Sequence, residues 1–289
     1  MSNVLKMYHD VSAFTLDLDA STRAASASAL GNGQVTLFPP LDDDAQILCV
    51  GKNYLEHVGE VDSSMPGIAR AEVPEAPIIF TKSTRSSTSG RGGEVDVRGR
   101  KDVDYEGELA VVIGRTIRNL EDACMSSKTE TGDVEDEEDE GAARERAVVA
   151  YCVSGYAVAN DVTARALQKL HQQWYLGKSC DTFCPLGPWI VGAGEPFGAL
   201  GGVELRTAVN GQIRQRARCD SMIFSIARLL IDISRYQTLH PGDVLLTGTP
   251  SGVGAGQKPS PIFLRAGDVV EIDIQRVGSI WNPVIDSAS

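Results

Sequence analysis

The stretch Asp104-Tyr105-Glu106-Gly107-Glu108-Leu109-Ala110-Val111-Val112-Ile113, closed by Gly114, reads as a β-strand: a β-branched run ending at a glycine. Residues two apart on a strand share a face, so Glu106 and Glu108 project side by side and lead on to Ala110 and Val112. Leu109, Val111 and Ile113 occupy the opposite face. Two carboxylates on an otherwise apolar strand repel each other and lose hydration. A hard divalent cation removes both problems, because Mg²⁺ or Ca²⁺ takes oxygen ligands. An edge strand whose glutamates begin outside the sheet needs no ion, so two readings stand at this point.

Around this stretch, 289 residues with 42% hydrophobic content suffice for a sizeable core, as one large domain or one domain with a small companion. Twenty-nine glycines, thirteen prolines and many short Val/Ile runs predict a β-rich protein with many turns. The first twenty residues hold no continuous apolar core of a signal peptide, and no stretch reaches membrane-spanning length. A cytoplasmic protein is the default expectation, with a mitochondrial location open. The net charge of −12 argues against nucleic acid as partner, since phosphate contacts need clustered Lys and Arg. More than half of that charge comes from seven acids in residues 133–140. None of the six cysteines has C-x-x-C spacing, so buried free thiols are expected.

Residues 47–60 read as a short buried strand ending at Gly51, then a polar turn, then a helical turn that puts His57 and Glu60 on one face. A carboxylate beside an imidazole raises its basicity, as a general base requires; a surface ion pair has the same spacing. The strand Ile78-Ile79-Phe80 delivers Lys82 into a Ser/Thr/Gly-rich loop, where it either meets a carboxylate or is merely solvated. Residues 126–140 are low in complexity and acidic, which predicts a disordered surface insertion before a helix over 141–150. A strand over 153–159 ends near Asp161, either a third carboxylate ligand or the N-cap of the helix that follows. Lys178 follows Gly177, which would let the backbone approach a ligand. Residues 174–188 are too irregular for a long element. Asn210-Gly211 signals a hairpin, and Met222–Ile233 has the spacing of an amphipathic helix. The loop Gly248-Thr249-Pro250-Ser251-Gly252-Val253-Gly254 is neither a Walker A loop nor a dinucleotide fingerprint; it reads as an anion cradle or a plain hairpin turn.

Taken in order, six motifs resemble the fumarylacetoacetate hydrolase family: Val50-Gly51-Lys52-Asn53-Tyr54 with His57-Val58-Gly59-Glu60; Asp104-Tyr105-Glu106-Gly107-Glu108-Leu109; Asn160-Asp161-Val162-Thr163-Ala164-Arg165 with Gln168; Gly177-Lys178-Ser179; Cys184-Pro185-Leu186-Gly187-Pro188; and Thr247 to Gly254. The resemblance covers about residues 47–286. It implies a β-rich α+β fold, a mixed β-sandwich roll over residues 47–289, with residues 1–46 as a small, poorly matched N-terminal lobe. It implies a homodimer and a Mg²⁺ or Mn²⁺ ion, with Ca²⁺ as a conceivable occupant, held by Glu106, Glu108 and Asp161. By the same resemblance His57 and Glu60 form a base dyad on a lid-like segment, Lys178 is the active-site lysine, and Gln168, Thr249 and Lys82 contact substrate. Ser83 stands where the family usually has Pro, and Cys180 where an aromatic is common.

The function expected from these residues is metal-dependent hydrolysis of a C–C bond in a small 2-oxo or 1,3-dicarbonyl acid. In it Glu60 orients His57 to deprotonate water, and Lys178 faces the developing enolate. Oxaloacetate-type decarboxylation and isomerisation or hydration of similar acids are the alternatives; a catalytically silent scaffold fits the retained site residues poorly.

Overall fold

The structure, a computed structural model, describes residues 37–64, 73–120, 137–193 and 201–288. In chain order its strands are β1 (Ile47–Gly51), β2 (Ile78–Lys82), β3 (Thr88–Ser89), β4 (Val95–Asp96), β5 (Val103–Asp104), β6 (Gly107–Ile113), β7 (Val153–Asn160), β8 (Thr163–Ala164), β9 (Cys184–Gly192), β10 (Glu204–Val209), β11 (Gln212–Arg218), β12 (Val244–Leu246), β13 (Val269–Ile274) and β14 (Gly278–Ile285). The α-helices are α1 (Leu55–Ser64), α2 (Thr84–Ser87), α3 (Glu137–Cys152), α4 (Arg165–Leu170), α5 (Tyr175–Lys178) and α6 (Ile226–Ser234).

β6 lies fourth in a seven-stranded mixed sheet of order β2-β1-β12-β6-β7-β9-β3, which excludes the edge-strand reading of its glutamates. Its alternation separates two cores. Leu109, Val111 and Ile113 join the larger cluster, while Ala110 and Val112 join a second with Cys49, Ala157, Ala159, Cys184 and Leu186. A five-stranded sheet, β11-β10-β13-β14-β4, packs against the first. The fold is thus β-rich α+β, as the resemblance implies.

Gly107 is required where the sheets meet. A Cβ there would run into the Thr207 hydroxyl of β10 and come within 3.3 Å of Ile272 on β13. The Glu-Gly-Glu pattern therefore has a packing cause: the glutamates take one face, and the residue between them must leave room for the second sheet. The short pair β5–β8 then brings the strand ends together, with Asp104 opposite Thr163, and the Asp161 amide donates to Glu106 O at 2.8 Å.

Several expectations shift. The helix expected over 141–150 begins at Glu137, so residues 137–140 of the acidic segment form its first turn. The rest of that segment, and residues 1–36 of the expected N-terminal lobe, lie outside the described residues. The stretch read as irregular holds the short helix α5 and, from Cys184, the start of β9, which runs on to Gly192. The prolines of β9 fall where the ladder is incomplete: Pro188 lies where the β7–β9 register shifts, between Gly187 and Val191, and Pro185 pairs only with the two-residue strand β3. The helix expected from Met222 starts at Ile226, after Ser225, whose hydroxyl accepts the Arg228 amide. Asn210 and Gly211 form the hairpin turn with φ of 52° and 75°, the geometry of a type I′ turn. No helix among the described residues is long and apolar enough to cross a membrane.

Gly107→Ala should lower stability by about 1–3 kcal/mol through overpacking between the sheets, read as a lower midpoint in urea. An unchanged midpoint would contradict the packing role assigned to this glycine.

Candidate active site

The end of β6, the turn after β7 and helix α5 converge on one buried cluster. Glu106, Glu108 and Asp161 each offer a carboxylate oxygen, and these atoms lie within 4.8 Å of one another. All three residues are buried, Asp161 and Glu108 at 1% exposure. Asp161 is not a helix cap: the N-cap of α4 is Ala164, and the Asp161 side chain turns into the cluster instead.

Three cations hold this charge. Lys178 Nζ lies 2.6 Å from Glu106 Oε2 and 2.5 Å from Asp161 Oδ2. Lys82 Nζ donates to Asp161 Oδ1 at 2.6 Å and to Val162 O at 3.1 Å. Arg165 Nη2 bridges Glu106 Oε1 at 2.6 Å and Asp104 Oδ2 at 2.7 Å. Burial alone would raise the Glu106 carboxyl, but Lys178 and then Arg165 outweigh it and hold the pKa down at about 2. Glu108 goes the other way. Burial and the neighbouring Asp161 and Glu106 charges push it well above the usual carboxylate range. Its Oε2 accepts the Gly248 amide at 2.7 Å, and its other oxygen meets no hydrogen-bond donor among the described residues.

The glycine-rich loop is an anion cradle, but its anions are the protein's own side chains. Gly248 N serves Glu108, Gly252 N lies 3.0 Å from both oxygens of Glu60, and Gly254 N and Ala255 N donate to Asp104 at 2.6 and 2.9 Å. Gly252 takes φ of +103° and packs directly on the Arg214 carbonyl, so the loop can make this turn only with glycine.

His57 and Glu60 both lie on α1. His57 Nδ1 is 3.3 Å from Glu60 Oε2, His57 is 6% exposed, and its ring lines the cavity above the carboxylates. The Glu60–Gly252 contacts pin this helix to the loop. The same cavity is lined by Phe80, Arg165, Gln168, Trp174, Lys178 and Thr249. Phe80 and Trp174 meet edge to face with centroids 5.2 Å apart, and Lys178 Nζ stands 5.1 Å from the Phe80 centroid. Thr249 donates to Gly107 O at 3.0 Å and accepts from Gln215 Nε2 at 2.7 Å. Gln168 accepts from Arg165 Nη1 at 3.2 Å.

Lys82 does not line this cavity; at 2% exposure it is held behind Asp161, a carboxylate partner rather than a wall residue. Gly177 serves helix packing, because a Cβ there would meet the Gln168 amide nitrogen at 2.7 Å and the Ala164 carbonyl at 3.0 Å. Cys49 and Cys184 are buried beside the cluster, and burial raises both thiols, that of Cys184 to about 12, which disfavours a nucleophilic role. Sequence reasoning assigned no role to Asp104 and Arg165. The signal was present, because Asp104 continues the period-two alternation of Glu106 and Glu108.

The donor set fits a divalent cation. Four buried carboxyl groups face three cations, and the one without a cation of its own is Glu108, whose under-partnered oxygen is free to meet a further cation. Glu108 keeps its proton to higher pH folded than unfolded, so its ionisation weakens the metal-free fold as pH rises past the ordinary carboxylate value. Glu108→Gln removes that penalty. At pH 7.5 the variant should melt at or above the metal-free wild type yet lose the rise in Tm that Mn²⁺ gives the wild type. A variant that keeps the Mn²⁺ shift would exclude Glu108 as a ligand.

Comparison with known proteins places the chain. It matches the fumarylacetoacetate (FAA) hydrolase C-terminal family over residues 46–127 and 139–285, leaving out 128–138 within the acidic segment. Oxaloacetate tautomerase YisK of Bacillus subtilis (strain 168) is 39% identical over 257 residues, covering 87% of this chain and 73% of the relative. The 2,4-didehydro-3-deoxy-L-rhamnonate hydrolase of Sphingomonas sp. (strain SKA58) is 35% identical over 270 residues, covering 92% and 82%. The crystal structure of 5-carboxymethyl-2-hydroxymuconate delta-isomerase from Mycobacterium smegmatis superposes with a TM-score of 0.65 at 38% identity, covering 89% of this chain and 84% of the other. With its motifs in order, its β-rich fold and this match along most of its length, the chain belongs to the fumarylacetoacetate hydrolase family.

Proposed function

We propose that this protein is a divalent-metal-assisted enzyme that moves a proton at the carbon between the keto group and a second carbonyl group of a 2-oxo acid, interconverting its keto and enol forms. The observation that carries the reading is the His57–Glu60 pair, 3.3 Å apart and fixed by Gly252 on the wall of a cavity floored by carboxylates. The tautomerase relative reported above supports this reaction in preference to C–C hydrolysis, which the residues alone had favoured.

With Nδ1–H directed at Glu60, His57 carries its lone pair on Nε2, where it can accept the carbon-bound proton. Glu60 stabilises the imidazolium that results, and the proton is returned to the enolate oxygen. Glu106, Glu108 and Asp161 would hold a divalent cation, which would supply Lewis acidity to the 2-oxo acid end of the substrate. Lys178, buried and already oriented by two carboxylates, adds a fixed positive charge that needs no reorganisation as the enolate forms. Gln168 and Thr249 offer an amide and a hydroxyl at the wall, while Phe80 and Trp174 exclude water.

Hydrolysis of a diketo acid is the second reading, favoured by the same dyad if His57 takes its proton from water. The two separate by assay. Stopped-flow absorbance of enol oxaloacetate ketonising, beside product analysis on acetylpyruvate, should show fast tautomerisation and slow or absent cleavage. His57→Ala should slow tautomerisation by about 10²–10⁴-fold, the usual contribution of a general base. Rapid acetylpyruvate cleavage with no acceleration of ketonisation would replace this reading by the hydrolytic one. A homodimer belongs to the same proposal; light scattering showing only monomer at micromolar concentration would remove it.

A further inference from the structure

Lys52 stands apart from every other cation at this site. It lies on the wall of the cavity together with His57, Gln168 and Lys178. Arg165 is committed to Asp104 and Glu106, Lys178 to Glu106 and Asp161, and Lys82 to Asp161. The Lys52 ammonium has no carboxylate or carbonyl partner among the described residues, so it is the uncommitted cation of the cavity wall there.

Its backbone is held in place rather than left to vary. Lys52 has φ of 57°, the left-handed region, which costs a non-glycine residue energy unless its surroundings impose it. They do so through the next residue. The Asn53 side chain is buried, donates to Thr247 O at 2.8 Å and Phe224 O at 3.1 Å, and accepts the Phe224 amide at 2.7 Å. Lys52 is thereby carried at a fixed point between the end of β1 and α1, half-exposed, on the cavity that the dyad faces.

We propose that Lys52 is a specificity-determining residue that pairs with the distal carboxylate of the substrate and so directs the site to 2-oxo diacids. The inference rests on the functional reading above and deepens it. A 2-oxo acid bound with its carboxylate and keto oxygen at the Glu106–Glu108–Asp161 end extends its far end along the cavity. A neutral far end gains nothing from Lys52. A second carboxylate meets an ammonium that need not leave an existing partner, and a charge-assisted hydrogen bond to a partly buried group is worth about 1.5–3 kcal/mol, roughly 10–100-fold in affinity.

The test compares oxaloacetate with its 4-ethyl ester, which shares the enolisable carbon but lacks the distal charge. Wild type, Lys52→Gln and Lys52→Arg are assayed on both for keto–enol interconversion. The wild type should prefer the diacid, and Lys52→Gln should collapse the diacid-to-ester ratio of kcat/KM by about 10–100-fold, mainly through the KM of the diacid. Lys52→Arg should restore most of the ratio. Calorimetric titration of the Mg²⁺-loaded proteins with oxalate, which has no distal group, should give similar affinity for wild type and Lys52→Gln. An unchanged ratio in Lys52→Gln, or an equal loss on both substrates, overturns the role of Lys52 while leaving the functional reading intact. A wild type that accelerates neither compound overturns both.

Discussion

Charge burial at the end of a central strand is the constraint on which the rest depends. Glu106 and Glu108 cannot avoid the interior, because β6 is flanked on both sides and packed on both faces. Unpaired, each would be strongly destabilising, and a pair of like charges more so. The surrounding elements supply what is needed: α5 brings Lys178, β2 brings Lys82, and α4 brings Arg165. Removing one partner from such a network typically costs about 3–5 kcal/mol because the other is left buried and uncompensated. The arrangement is therefore specific before it is stabilising, and its one carboxyl group without a cationic partner is what suits it to a further cation.

The glycine-rich loop performs the second part of this neutralisation with amides rather than with charges. One short segment supports Glu108 of the carboxylate cluster, Asp104 behind it and Glu60 beside His57. Cluster and dyad are thus parts of one hydrogen-bonded body. Displacing the loop would disturb the carboxylate cluster and the His57–Glu60 pair together, which ties the position of α1 to the state of the carboxylates.

Much of this was legible in the chain. Period-two alternation separates the two faces of β6 correctly, and the acid at the end of β7 lies beside it because the strands pair antiparallel, with Gly107 opposite Asn160. Other features were hidden for physical reasons. Arg165 and Asp104 are 61 residues apart, and no local periodicity reports an ion pair formed only when β5 and β8 meet. Prolines and a glycine disguised β9, since a strand whose pairing is broken by a register shift can dispense with N–H groups that a regular central strand must use. The loop over 248–254 was read as a cradle or a turn, and only the fold reveals that the anions it holds are internal. Gly177 looked like room for a ligand and is room for a helix.

The central claim is that Glu106, Glu108 and Asp161 are three ligands to one divalent cation. Anomalous diffraction from crystals grown with Mn²⁺, recorded at the manganese edge, tests it most directly. The account predicts a single strong peak within bonding distance of an oxygen of each of these three carboxylates. A peak elsewhere, or none at saturating Mn²⁺ with Lys178 still bridging Glu106 and Asp161, would contradict it.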